Sequence, residues 1–248
     1  MLSLARAINI NMHLYAPNTT AILVFVRDEQ EEADVKSLRS YFGAKCSMRM
    51  VHTLNNHALR VSRQSGLPVF VVKGAQQVGE TFGERFANAF ETVFAAGYEQ
   101  VIAIGNDCLH LTKEYLLRAA VLLQNDADMV LGPTQDGGAY IVGIRLQAYQ
   151  RDAFIQRSWQ TSHTLKSLID YARQNSACCH FLPLAHDFDD ARAFQKIAFG
   201  RFPQSRILCL LRNFILSNRL QPQIEVFLIL SKYSFFATLR APPALYFS

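Results

Sequence analysis

Apolar runs of strand length alternate with stretches of helical spacing along most of the chain. Ala21 to Val26 (AILVFV) is continuously apolar, and the EEADVKSLRSYF segment after it sets Val35, Leu38, Tyr41 and Phe42 at helical intervals, ended by Gly43. Thr53 to Gln64 predicts a second helix stopped by Gly66, and Pro68 to Val72 a second buried strand. Gly79 to Gly83 opens a helix in which Phe86, Ala89, Phe90 and Phe94 form one stripe and Gly97 is the stop. Val101 to Gly105 is a third strand, and Thr112 is placed to cap a helix running to about Gln124. Asp128 to Leu131, Ala139 to Ile144 and His180 to Leu184 read as strands, His163 to Gln174 and Asp190 to Ala198 as helices. Strands separated by helices at this spacing predict an α/β fold of three layers, with a mainly parallel, Rossmann-like sheet covered on both faces. Ligands of such sheets bind beyond the ends of the strands.

Charge changes this picture in one place. The 248 residues carry 25 Lys and Arg against 20 Asp and Glu, a formal charge of +5. Residues 201–248 hold six of the cations and one anion, so residues 1–200 are neutral and the surplus belongs to the tail. A neutral segment of that length is long enough to bury a core and lacks the basic stripe of a nucleic-acid reader, which removes nucleic acid as a partner. The reading therefore divides the chain into a domain at 1–200 and an extension at 201–248. Five cysteines without paired C-x-x-C spacing argue for reduced thiols in a cytoplasmic protein. The apolar runs fall far short of the roughly 20 residues that span a bilayer.

Four segments could carry chemistry. VIAIGND, Val101 to Asp107, is an apolar strand running into a carboxylate, which suits either a cation-bridged diphosphate or a capped turn. GPTQDGGAY, Gly132 to Tyr140, offers two adjacent glycines and Asp136 between strands, as a ligand loop or as a plain Asp-Gly turn. QQVGETFGER, Gln76 to Arg85, places glycines before a helix N-terminus without matching a dinucleotide or Walker pattern. HDFDD, His186 to Asp190, ends a strand in three carboxylates or caps the helix that follows.

In this order the segments, with SWQT at Ser158 to Thr161, resemble a bacterial family of uncharacterised glycosyltransferase-like proteins with the GT-A nucleotide-diphospho-sugar transferase fold, over about Ala21 to Phe199. The resemblance implies a metal site at Asp107, closed by Asp189 or Asp187, and Mg²⁺ or Mn²⁺ as cofactor. It implies nucleotide binding by Gln77 and Gly79, joined by Arg27, Lys36 and Arg85, and a sugar or acceptor loop of Gly137, Gly138, Tyr140, Trp159 and Thr161. For an inverting course Asp136 or Asp187 is the candidate base for an acceptor hydroxyl, whereas a retaining course needs no such base. The chain departs from the family after the first strand, where FVRDEQEEADVK lacks the usual Pro and Gly and adds acids, and at Cys108-Leu109 and Gln160.

The implied function is metal-dependent sugar transfer from a nucleotide-diphospho-sugar to an acceptor. Nucleotidyl transfer to a phosphorylated small molecule keeps the fold but wants a glycine-rich basic loop that is weak here, and a non-catalytic nucleotide-binding protein on the same scaffold would explain the altered loop. In the tail, Ile207, Leu210, Leu211, Phe214 and Ile215 form an apolar stripe opposite Arg206, Arg212 and Arg219. Such a helix packs on its own domain or on a second copy in a homodimer, or else lies on an anionic membrane surface.

Overall fold

The computed structural model describes residues 19–185, 207 and 209–213. Its strands are β1 (Thr20–Val26), β2 (Val69–Lys73), β3 (Gln100–Ile104), β4 (Met129–Pro133), β5 (Ala139–Arg145) and β6 (Cys179–Phe181). Its helices are α1 (Glu29–Val35), α2 (Leu38–Phe42), α3 (Ala44–Gln64), α4 (Phe82–Ala95), α5 (Lys113–Asn125), α6 (Arg151–Ile155) and α7 (Thr164–Gln174). The sheet has the order β2-β1-β3-β5-β4-β6, and β5 alone runs against the others.

Alternation along the strands sorts the core into two layers. Ala21, Leu23, Phe25, Val101 and Ala103 pack with Phe86, Phe90 and Val93 of α4, Phe154 of α6, and Leu168 and Tyr171 of α7. Their neighbours Ile22, Val24, Ile102 and Ile104 face Ala58 and Val61 of α3 and Leu116, Ala120 and Leu123 of α5. The three-layer α/β/α reading is thus met. β1 and β3 are buried at every position, so both faces of each strand are apolar and the run reads as continuous in sequence.

A third apolar cluster lies outside the sheet. Ala33 of α1, Leu38 and Phe42 of α2, and Met50, Val51 and Leu54 of α3 enclose Leu109, together with Ile207 and Leu211. Of the tail stripe read from the sequence, Ile207 and Leu211 are buried against the domain, whereas Leu210 is exposed beside Cys209, because the contact covers a narrower face than the stripe. Among the described residues no helix is long and apolar enough to cross a membrane. The helix read at Asp190 to Ala198 lies outside the described residues.

Two local differences from the expected elements have physical causes. The helix expected after β1 is broken, because Lys36 ends α1 and Ser37 stands at φ 54° before α2 begins. α3 begins at Ala44, nine residues before the expected Thr53, since Cys46, Met50, Val51 and Leu54 continue the apolar stripe backwards. Helix α4 is capped by Thr81, whose hydroxyl accepts from the Glu84 N–H while Glu84 reaches back.

Helix α4 and α6 approach so closely that Gly83 has no room for a side chain: a Cβ there would stand 2.3 Å from the Ile155 carbonyl oxygen. Backbone cannot yield as a flexible side chain can, so Gly83→Ala is expected to lower stability by about 1–3 kcal/mol through forced displacement. The check is the urea midpoint, which should fall with little change in the slope of the transition.

His57 of α3 gives a second expectation. Burial, and then the Arg60 guanidinium 3.1 Å from Nδ1, hold its pKa down to about 4 from an ordinary 6.5. The folded chain keeps this imidazole neutral where the unfolded chain takes up a proton, so its contribution is complete above pH 6.5 and is lost as pH falls through about 4. Tm measured across that window should decline, and His57→Gln should flatten the decline.

Candidate functional site

The parallel register of β1 and β3, with Val24 opposite Ile104, brings Arg27 and the Gly105-Asn106-Asp107 turn out at one end of the sheet. The turn is anchored from below: Asn106 is buried, and its Nδ2 donates to Asn55 Oδ1 of α3 at 2.7 Å. On the β1 side, the Asp28 carboxylate accepts from the Glu31 N–H at 2.8 Å and starts α1 directly after Arg27.

Helix α1 therefore follows β1 directly, and its charges form an alternating row. Arg27 Nη1 donates to Glu32 Oε2 at 3.1 Å, and Lys36 Nζ lies 3.1 Å from Glu32 Oε1 and donates to Asp107 Oδ1. The Lys36 side chain is only 2% exposed and Glu32 only 4%, whereas Asp107 is 38% exposed. Burial pulls the Lys36 ammonium down, but the carboxylates of Asp107 and Glu32 outweigh it and hold its pKa above the ordinary lysine value.

Beyond these strand ends opens a cavity of about 520 Å³. Arg27, Gln77, Arg85, Asp107, Asp136, Gly138, Tyr140, Trp159 and Thr161 all line it, so residues read from five separate segments converge. Gln77 is turned by its own bond, Nε2 donating to the Val26 carbonyl at 2.8 Å. Arg85, half-buried on the first turns of α4, donates from Nη1 to the Glu80 carbonyl at 3.0 Å. Asp136 is exposed; its Oδ1 accepts from Thr134 Oγ1 at 2.5 Å and from the Gly138 N–H at 3.2 Å, a side-chain turn that fixes the carboxyl. Tyr140 is buried with its hydroxyl donated to the Pro183 carbonyl at 3.0 Å, and burial pushes its pKa upward. Thr161 donates from Oγ1 to the Ser158 carbonyl at 2.9 Å, and Trp159 Nε1 donates to the Phe154 carbonyl at 3.0 Å.

Three predicted residues do other work. Lys36 lies behind the cavity wall, bonded to carboxylates. Gly79, at φ +136°, is a packing point: a Cβ would meet Glu84 Cβ at 2.8 Å and the Arg85 nitrogen at 2.9 Å. Gly137, at φ +89°, lets the loop press on the Ser162 carbonyl, which a Cβ would approach to 2.1 Å. Asp187 and Asp189 lie outside the described residues.

Sequence reasoning missed part of the lining. Phe25, Phe82 and Phe86 belong to it, with Trp159 centred 5.1 Å from Phe86 and 5.8 Å from Phe82. The strand and helix stripes that contain these phenylalanines are legible, but nothing in them marks the residues nearest the sheet's end. Glu32 also lines the cavity, and its signal was its spacing of four from Lys36.

The resemblance implies a divalent cation on Asp107. Oδ1 of that carboxylate already accepts from an ammonium, and among the described residues no three His, Cys, Asp or Glu side chains gather to hold an ion. The described donor set does not fit Mg²⁺ or Mn²⁺ as it stands.

Residues 41–161 match a family described as an uncharacterized protein conserved in bacteria, DUF2064. No curated protein matches. Among solved structures, a candidate nucleotide-diphospho-sugar transferase from Desulfovibrio desulfuricans G20 superposes with a TM-score of 0.69 at 22% identity, covering 81% of this chain and 98% of that one. Rv0371c from Mycobacterium tuberculosis H37Rv gives 0.47 at 13% identity, covering 73% and 97%, and the glucosyl-3-phosphoglycerate synthase of Mycobacterium tuberculosis, in complex with phosphoglyceric acid, 0.39 at 12%, covering 82% and 80%. The segment 41–161 holds most of the motifs that carry the sequence resemblance and is similar to this uncharacterised bacterial family, and the chain shares the fold of the Desulfovibrio desulfuricans structure.

Proposed function

We propose that the chain transfers a sugar from a nucleotide-diphospho-sugar to an acceptor hydroxyl, in the cavity beyond β1 and β3. The observation that carries this reading is the convergence of Arg27, Arg85, Gln77 and Asp136 around one cavity of about 520 Å³, within the roughly 300–1,000 Å³ usual for small-molecule sites. The neighbouring fold, described for another protein as that of a candidate nucleotide-diphospho-sugar transferase, agrees with it.

The roles follow from the chemistry. A departing nucleoside diphosphate accumulates negative charge, and fixed guanidinium groups stabilise it best where water is scarce. Arg85 and Arg27 are the cations on the cavity wall that can meet phosphate oxygens. Gln77 supplies an amide to a polar base edge, and the Phe82, Phe86 and Trp159 rings supply an apolar surface for the sugar or base. In the transfer step the acceptor oxygen bonds to the anomeric carbon and the bond from that carbon to the diphosphate oxygen breaks. For an inverting course Asp136 takes the acceptor proton, since its second oxygen is available beside the Thr134 and Gly138 bonds that both fall on Oδ1.

Calorimetric titration with UDP, GDP, CDP and ADP tests the site. At least one is expected to bind, and Arg85→Ala should weaken that binding about tenfold or more by removing a charge-assisted contact. Binding unchanged by the substitution would remove Arg85 from the site. With a competent donor and acceptor, Asp136→Asn should lower turnover by about 100-fold or more; a loss of a few fold at most would exclude it as the base.

A further inference from the structure

The position beside Asp107 that a divalent ion would need is occupied by a group of the chain itself. We propose that the Lys36 ammonium is the resident cation of this site, and that the chain binds its nucleoside diphosphate without a divalent metal ion. This rests on the reading of the cavity as a nucleoside-diphosphate site.

Geometry and burial carry the inference. Lys36 caps the C-terminal end of α1, held there by its own N–H, which donates to the Glu32 carbonyl at 3.0 Å. Its side chain points inward, is 2% exposed, and reaches both the Glu32 and Asp107 carboxylates. An ammonium so placed is not a mobile surface charge that swings aside for an incoming ion. Displacing it would leave Glu32, itself 4% exposed, with Arg27 as its remaining partner among the ion pairs of this row. A metal ion on Asp107 would also face a fixed positive charge on the same carboxylate, and like charges at such separations disfavour one another strongly in a partly dry site.

The acids added after β1 acquire a purpose in this light. Glu32 serves to hold two cations, Arg27 and Lys36, one on each of its oxygens. Arg27 keeps access to the cavity, with 23% of its side chain exposed, while Lys36 stands behind Asp107. Lys36 acts through Asp107 and is a positioning residue: it neutralises that carboxylate, so the wall of the cavity does not repel a diphosphate.

Free Mn²⁺, followed by electron paramagnetic resonance during titration into the full chain, reads the metal question without any nucleotide. The native chain is expected to take up no Mn²⁺ below about 1 mM, Lys36→Arg likewise, and Lys36→Gln to bind at least about tenfold more tightly. That gain should vanish in the double variant with Asp107→Asn. Uptake by the native chain in the micromolar range that is lost in Asp107→Asn would overturn the proposal, as would a folded Lys36→Gln that gains nothing.

A second measurement decides the matter even where Lys36→Gln does not fold. Calorimetric affinities for UDP, GDP, CDP and ADP in EDTA and in Mn²⁺ should agree within about twofold, and tightening of about tenfold in Mn²⁺ would overturn the proposal. Absence of binding under both conditions would defeat the nucleotide reading of the cavity, and with it the nucleotide half of the proposal, while the Mn²⁺ titration still decides whether Lys36 keeps metal from Asp107.

Discussion

The parallel pairing of β1 with β3 is the constraint on which the site depends. Each strand is buried on both faces, so its apolar residues cannot shift register by one without exchanging the α4 layer for the α5 layer. The register is also marked at the far end, where Thr20 donates to Gln100 at 2.5 Å between buried side chains. With the pairing set, Arg27 and Asp107 must emerge together. The antiparallel β5 then returns from the same end, which brings the Thr134 to Gly138 turn and its Asp136 to the opposite side of the opening.

What the sheet delivers, α1 neutralises. A buried ion pair is weak evidence for stability, because removing two charges from water costs about as much as their attraction returns. Removing one partner is different: the charge left behind typically costs about 3–5 kcal/mol. The Arg27, Glu32, Lys36, Asp107 row is therefore better understood as a device that fixes charge than as one that holds the fold. Two unit charges 4 Å apart interact by about 4 kcal/mol at an effective dielectric near 20, and a divalent ion doubles that figure against Lys36. Arg85, outside the row, then stands as an added positive charge on a wall the row has balanced.

Much of the architecture was legible because it rests on local pattern. The runs AILVFV and VIAIG are apolar on both faces, and glycines at 43, 66 and 97 close helices at positive φ. Asp107, Asp136, Gln77 and Trp159 were readable as cavity residues because their motifs keep an order along the chain. Lys36 was not readable in the same way. It was read as a nucleotide-binding cation, and its burial against carboxylates comes from the juxtaposition of α1 with the turn after β3, a contact 71 residues apart in sequence. Gly79 and Gly137 mislead for a related reason. Glycine before a helix or in a turn suits both ligand approach and backbone packing, and only the neighbours, Glu84 and Ser162, decide between them.

The third apolar cluster links these charges to the tail. Ala33 lies one residue from Glu32 on α1, and Leu109 lies two residues after Asp107; both are buried with Ile207 and Leu211. The two carboxylates that grip Lys36 thus sit on segments whose apolar neighbours share one small core. Burying an aliphatic side chain contributes about 1.5–3 kcal/mol, so Ile207 and Leu211 are worth enough to bear on how firmly α1 lies against the Asp107 turn. The tail residues described in the structure are in this sense part of the support of α1 and the Asp107 turn. The boundary suggested at residue 200 by charge alone separates electrostatics, since the surplus lies beyond it, but apolar packing continues across it.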